Sequence, residues 1–358
     1  MAPTRRPEPT RLSALGRAEL SRRTLITRGL GLGALAVAAP SALSACGSSS
    51  SASGTTSSGG VTSLSYQMSW LPTVEQSGSF IADDQGLYQQ NDLDVTLLNG
   101  GPNTSPDTMV VSGKALVGAT QADSIAAAVT KGADVRIFGT RFQASPFCIL
   151  SLAETPIADP RAMVGKRIGV AANNQTSFDL LLQLNSIDPG DVEVVPVQFD
   201  PAPVANKEVD GQVVFVINEP TQLEVKGIAT HSFLFADHGY AIFSGAYFAL
   251  AKTIEEQPEV LASFLRAERA GWEANLADPA VGTALTVDVY GKDQGFDRAQ
   301  QQLESERLAQ IMTSPYTEAN GVLSLPPELV EANITTLAAA GIDVSADQLF
   351  TQAILDLV

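Results

Sequence analysis

Val61-Thr-Ser-Leu-Ser-Tyr-Gln-Met68 alternates apolar and polar side chains, the period of a half-buried strand. After this strand, Phe80, Ile81, Leu87 and Tyr88 form a helical pattern over 75–90. Leu93 to Leu98 is a second strand, and Asn99-Gly-Gly-Pro-Asn103 is a turn. A helix over 105–112, a strand over 115–120, a helix over 121–131 and a strand over 134–142 complete a βαβαβαβ series. Strands alternating with helices imply an α/β protein with a largely parallel sheet covered on both faces.

The pattern restarts after Pro146, with strands expected over 148–152, 167–171, 192–197 and 212–217 and helices near 175–186 and 219–226. From Pro258 the character becomes helical. Leu261, Leu265, Trp272 and Leu276 share one face, and helices are expected near 297–312, 326–339 and 345–357. Two α/β runs and a helical tail predict two lobes, with lobe 1 at 61–145 completed by 251–358 and lobe 2 at 146–250. Ligands of open parallel sheets sit at the carboxyl ends of strands. The loops after Met68, Thr120, Ala171 and Ile217 are therefore the places to look.

The N-terminal part has a different composition. Seven Arg against two Glu give the first 45 residues a net +5, whereas the whole 358-residue chain carries −17, so the remainder carries −22. Arg22-Arg23, the apolar run Gly29 to Ala39 and Leu43-Ser-Ala-Cys46 follow in the order of an export signal. An eleven-residue apolar run is too short to span a bilayer, which takes about 20 residues. Ser21-Arg22-Arg23-Thr24-Leu25-Ile26 resembles a twin-arginine signal, and Leu-Ser-Ala-Cys resembles a lipobox in which Cys46 is acylated. Residues 46–60 are rich in Ser and Gly and predict a flexible tether. The expected product is a protein outside the cytoplasm, held on the membrane surface by lipidated Cys46.

Acidity excludes sequence-independent nucleic-acid binding, which needs a basic surface. Two cysteines make neither a disulfide framework nor a four-thiolate metal site. His231 and His238 have no partners at metal-ligand spacing, Cys148 lies in an apolar run, and no nucleophile-elbow or phosphate-loop motif occurs. No catalytic residue, metal or cofactor is expected.

Ser69-Trp70-Leu71-Pro72-Thr73, then Gly78 to Tyr88 and Leu93-Asp94-Val95, resemble the opening of the substrate-binding proteins related to thiamine pyrimidine synthase, the NMT1/THI5-like group. Gly165 to Val170, Phe199-Asp200-Pro201, Asn218-Glu219 and Gly271-Trp272 are similar to later parts of that group. The resemblance implies a two-lobed type II periplasmic-binding-protein fold that closes over a small molecule and passes it to the permease subunits of an ABC importer. It also implies that Trp70 stacks on a ring and that Glu219, beside Asn218, accepts hydrogen bonds from ring N–H groups.

Thr73 stands where pyrimidine-binding relatives often have Asn, which leaves room for other rings. Gln121, Asp123, Asn173, Gln175 and Thr176, at strand ends, and Tyr247, as a second ring face, complete the candidate ligand set. The expected ligand is a thiamine pyrimidine precursor or a related vitamin such as riboflavin, taken up by a monomer. The alternatives are a sulfonate or nitrate-like anion, a pyrimidine-synthase-like enzyme, and an adhesive lipoprotein without a ligand. The synthases are iron-dependent and carry a cysteine-rich motif, whereas the only cysteine here outside the lipobox is Cys148.

Overall fold

Eleven strands carry the architecture: β1 (Thr56–Ser58), β2 (Val61–Gln67), β3 (Leu93–Leu98), β4 (Val117–Thr120), β5 (Val135–Phe142), β6 (Phe147–Leu152), β7 (Arg167–Val170), β8 (Glu193–Pro196), β9 (Gly211–Phe215), β10 (Thr230–Leu234) and β11 (Ser244–Leu250). They belong to a computed structural model that describes residues 56–58 and 60–358. The segment read as an export signal, Cys46 and most of the segment read as a tether lie outside the described residues.

The strands form two sheets. In the first, β3, β2, β4, β11 and β5 lie side by side, and β1 pairs antiparallel with the start of β2. In the second the order is β10, β6, β9, β7, β8. Parallel pairing holds β2 to β3 and β4, and β7 to β8 and β9. β11 runs antiparallel to both its neighbours, Tyr247 facing Ala119 of β4 and Gly139 of β5. The chain thus passes from the first sheet to the second between β5 and β6, and returns between β10 and β11.

Several elements differ from expectation. Thr56–Ser58, assigned by composition to the tether, is held through backbone pairing with β2, which needs no apolar side chain. β11, expected within lobe 2 up to residue 250, is a strand of the first sheet, because its fully apolar face fills the gap between β4 and β5. The helix expected over 75–90 is Ser77–Asp84, ended before Gly86, whose φ of +67° breaks the helix. Instead of a helix over 345–357 there is a short one, Ala346–Leu349. Phe350 then bridges to Ile137, and Thr351 N–H donates to the Ile137 carbonyl at 2.9 Å, so the free edge of β5 takes the chain in extended form.

The helical tail covers the first sheet. The helix Pro258–Ala277 buries Leu261, Phe264, Leu265 and Trp272 against Tyr66, Phe138 and Tyr247. It crosses Ser77–Asp84 at two glycines. A Cβ on Gly271 would stand 2.0 Å from the Gly78 carbonyl oxygen, and one on Gly78 would meet the Trp272 ring at 2.4 Å. Backbone therefore packs directly on backbone there, which fixes where Ser77–Asp84 starts and, with it, the loop that follows β2. The second sheet packs its own apolar faces through Phe147, Ile149, Ile168, Val170 and Phe178 on one side and Cys148, Leu150, Val204 and Leu223 on the other.

Candidate functional site

The carboxyl ends of parallel strands from both sheets face one another across a narrow cavity. The loop after β2 carries Ser69 and Trp70 and leads through Thr73 into a single 3-10 turn, Val74–Gln76, which carries Glu75. β4 supplies Gln121, β7 supplies Asn173 and Asn174, and β9 supplies Asn218 and Glu219 at the start of the helix Glu219–Val225. Phe147 and Phe215, edge to face at 4.8 Å, form the apolar part of the lining. The cavity measures about 30 Å³, against the ~10–15 Å³ that one water fills on that scale. A ring does not fit a cavity of this size.

Polar contacts, buried at Asn218 and more exposed towards Arg307, join the lobes at this point. Asn218 Nδ2 donates to the Glu75 carboxylate. Asn173 N–H donates to the Pro102 carbonyl at 3.1 Å, and Arg307 reaches from the helix Arg298–Met312 to Thr221 Oγ1 at 2.6 Å and Glu224 at 2.8 Å. At the rim Trp70 meets Phe199 edge to face at 5.9 Å, and Phe199 meets Phe296 at 6.4 Å.

Behind the β2 loop lies Arg141, 2% exposed. It donates to the Glu75 carbonyl, to Gln76 Oε1 at 2.9 Å and to Ser69 Oγ at 2.8 Å, so one guanidinium sets the shape of the loop that presents Trp70 and Glu75. Its charge lies 5.8–5.9 Å from the ring centroids of Phe142, Tyr247 and Trp272. Gly245, at φ +62°, gives it room, since a Cβ there would stand 2.6 Å from Arg141 Nε.

The site is acidic and buried. Burial pushes the Glu219 carboxyl well above the usual carboxylate range, with the charges of Glu75, Glu304 and Asp200 adding to the effect. Burial also raises Glu75, opposed by the Asn218 hydrogen bond and by Arg141. Glu304, on the helix Arg298–Met312, is pushed up to about 8, mainly by burial. It accepts from Gln300 and Gln301, and Gln301 Oε1 in turn accepts from Val74 N–H at 3.0 Å, which ties this helix to the turn bearing Glu75.

Of the ten ligand candidates, the structure brings together Trp70, Gln121, Asn173, Asn218 and Glu219. The others lie elsewhere. Thr73 is buried and turns its hydroxyl back to cap the 74–76 turn, accepting from Glu75 N–H. Asp123 is fully buried under its helix and accepts from Tyr240 Oη at 2.6 Å. Gln175 points outward and donates to Asp179 at 2.7 Å. Thr176 lines an adjoining open groove of about 700 Å³ with Thr104, Ser105 and Ser124, which shares Asn173 with the cavity. Tyr247 is a core residue. Its hydroxyl donates to Glu268 at 2.7 Å, alongside Tyr88 and Ser79, and its ring lies among those of Tyr66, Phe138 and Phe264.

Sequence reasoning missed Glu75, Ser69, Asn174, Phe147 and Phe215. For Glu75 a signal was available, since it is the only charged residue between Val61 and Ile81. Among the described residues no group of three or more His, Cys, Asp or Glu could hold a metal ion, and no helix is long and apolar enough to cross a membrane.

Two sheets of this topology with a polar cleft between them define a two-lobed type II periplasmic-binding-protein fold. Residues 74–281 match the model of the family described as NMT1/THI5 like, and the chain belongs to that family. A riboflavin-binding protein, RibY, of Chloroflexus aurantiacus is 24% identical over 295 residues, covering 74% of this chain and 83% of its own. A formylaminopyrimidine-binding protein of Halalkalibacterium halodurans is 23% identical over 71% of this chain and 78% of its own. Chains named 4-amino-5-hydroxymethyl-2-methylpyrimidine phosphate synthase match at a similar level, 24%. Among solved structures, the alkanesulfonate-binding protein SsuA of Xanthomonas axonopodis pv. citri, bound to MOPS, superposes with a TM-score of 0.60 at 15% identity, covering 79% of this chain and 95% of that one.

Proposed function

We propose that this protein is the extracytoplasmic substrate-binding lipoprotein of an ABC importer and that it captures a small heterocyclic molecule, a thiamine pyrimidine precursor or a related vitamin such as riboflavin. The observation that carries the reading is the cavity between the two sheets, where Trp70, Phe147 and Phe215 offer ring faces and Asn218 and Glu219 offer buried polar groups. Relatives named for binding riboflavin and formylaminopyrimidine support it. In this reading residues 1–45 are removed on export, Cys46 carries the lipid and the protein acts as a monomer. It performs no catalysis.

Closure supplies the mechanism. Ligand bridging Trp70 of one lobe and Glu219 of the other favours the closed form, and that form docks on the permease. A thermal-shift screen of the full chain against pyrimidines, riboflavin, sulfonates and polyamines tests it, because a ligand that binds only the native state raises Tm. A ring compound is expected to raise Tm, and Trp70→Ala to weaken its binding about 10- to 100-fold, the scale of a lost stacked aromatic. Wild-type affinity in that variant, or no shift with any ring, rejects the assignment.

A further inference from the structure

The cavity has a definite charge preference. Eleven residues line it and none is Lys, Arg or His, while Glu75 and Glu219 approach from opposite lobes. The nearest guanidinium, Arg141, lies behind the Ser69–Gln76 loop and is engaged with three oxygens of that loop. Asn218, 3% exposed, has given its Nδ2 to Glu75, which leaves its Oδ1 buried without a hydrogen-bond partner. Asn173 Oδ1 is likewise buried and unpartnered, and among the described residues of the lining Trp70 Nε1 is the one unpartnered donor. The lining therefore calls for a ligand that brings N–H donors to two amide oxygens beside two carboxylates and one acceptor to the indole. Aromatic faces beside it attract positive charge as well as stacking area.

Resting on the reading above that this cavity is the ligand site, we propose that it holds its ligand as a flat heteroaromatic cation, a ring base sharing one proton with Glu219, and that it rejects sulfonate-like anions. The step is balanced. The Glu219 O–H bond breaks, an N–H bond forms on a ring nitrogen, and a carboxylate and a ring cation remain as a hydrogen-bonded pair. No further reactant is needed.

The surroundings of Glu219 favour such an exchange. Glu75 faces it from the 74–76 turn, Glu304 from the helix Arg298–Met312, Asp200 from the segment after β8 and Cys148 from β6. The basic groups nearby act on other partners, Arg141 on Glu75 and Arg307 on Glu304. Glu219 is 4% exposed, and its burial together with these acidic neighbours raises its carboxyl well above the usual carboxylate range, which favours the protonated form. That proton is then available to the ring.

Calorimetry on the full chain at neutral pH, with three probes, tests the inference. 4-Amino-5-hydroxymethyl-2-methylpyrimidine is a ring base, riboflavin presents a neutral imide edge, and ethanesulfonate is an anion. The base is expected to bind at least tenfold tighter than riboflavin, with no heat from ethanesulfonate. Its binding heat should be equal in phosphate and Tris buffers, because the proton comes from Glu219 and not from solvent. Glu219→Gln is expected to weaken the base at least tenfold. Should that variant not fold, the probe comparison on the wild-type chain still decides. Riboflavin binding tighter than the base, or Glu219→Gln binding the base as wild type does, overturns this inference and leaves the proposed function standing. Binding of ethanesulfonate alone, or of no probe, overturns both.

Discussion

Glu304→Gln should flatten the dependence of stability on pH. Glu304 is fully buried and its carboxyl is raised from 4.5 to about 8, so between those values the native state holds a proton that the unfolded chain has released. Stability therefore falls as pH rises through this window, and the contribution is full only below about pH 4.5. Between pH 5 and pH 8 the loss is on the order of 3 to 4 kcal/mol for values of 4.5 and about 8 at ~1.36 kcal/mol per pKa unit. With an unfolding entropy of about 2.1 cal/mol/K per residue over roughly 300 ordered residues, that corresponds to a fall in Tm of about 5 °C. Gln keeps the shape and cannot ionise; its amide oxygen keeps one of the two hydrogen bonds donated by Gln300 and Gln301, and its NH2, which cannot accept, loses the other. Melting curves of both proteins from pH 5 to pH 8 provide the assay. Parallel pH profiles for wild type and variant would refute the reasoning, since Glu304 would then carry no proton in the folded protein.

Two further outcomes are expected. Arg307→Ala removes a half-buried ion pair and a hydrogen bond that join the lobes in the closed arrangement, a loss of about 0.5–1.5 kcal/mol. Ligand affinity should fall roughly 2- to 10-fold with Tm of the free protein little changed, and unchanged affinity measured by calorimetry would show that the contact does not bias closure. Gly271→Ala should destabilise by about 1–3 kcal/mol despite the better helix propensity of Ala, because the added carbon overlaps the Gly78 carbonyl oxygen; a rise in denaturation midpoint would contradict the packing at that crossing.

The fold was largely legible because its signals are local. Alternation in 61–68 and in 93–98, breakers at 99–103 and a helical stripe from Pro258 each report the element they form. What escaped depended on distant chain. β11 reads as a strand from its sequence only weakly, and its place between β4 and β5 is set by residues more than 100 positions earlier. The end of the chain, a good helix by pattern, pairs instead at the open edge of β5.

The same distinction governs the site. Strand-end loops told where to look, and Trp70, Gln121, Asn173, Asn218 and Glu219 are there. Whether a side chain at such a loop faces the cavity or its own helix is a matter of one torsion. Thr73 turned inward to cap a turn, and Asp123 found the Tyr240 hydroxyl, 117 positions away. Tyr247 alternates correctly for a strand, but both faces of its sheet are covered, so its ring lies in the core.

The position of β11 also bears on the order in which the protein acquires its structure. The five strands of the second sheet are contiguous, from Phe147 to Leu234, and can assemble as soon as that segment is made. β4 and β5 come earlier in the chain yet have no common partner until Ser244–Leu250 emerges, so their facing edges stay open while some hundred residues are added. Contacts of such long sequence separation form late, and open edges are where unfolded chains associate. Lobe 2 should therefore fold first and lobe 1 last. Until β11 is inserted, the nascent chain presents these open edges to its neighbours.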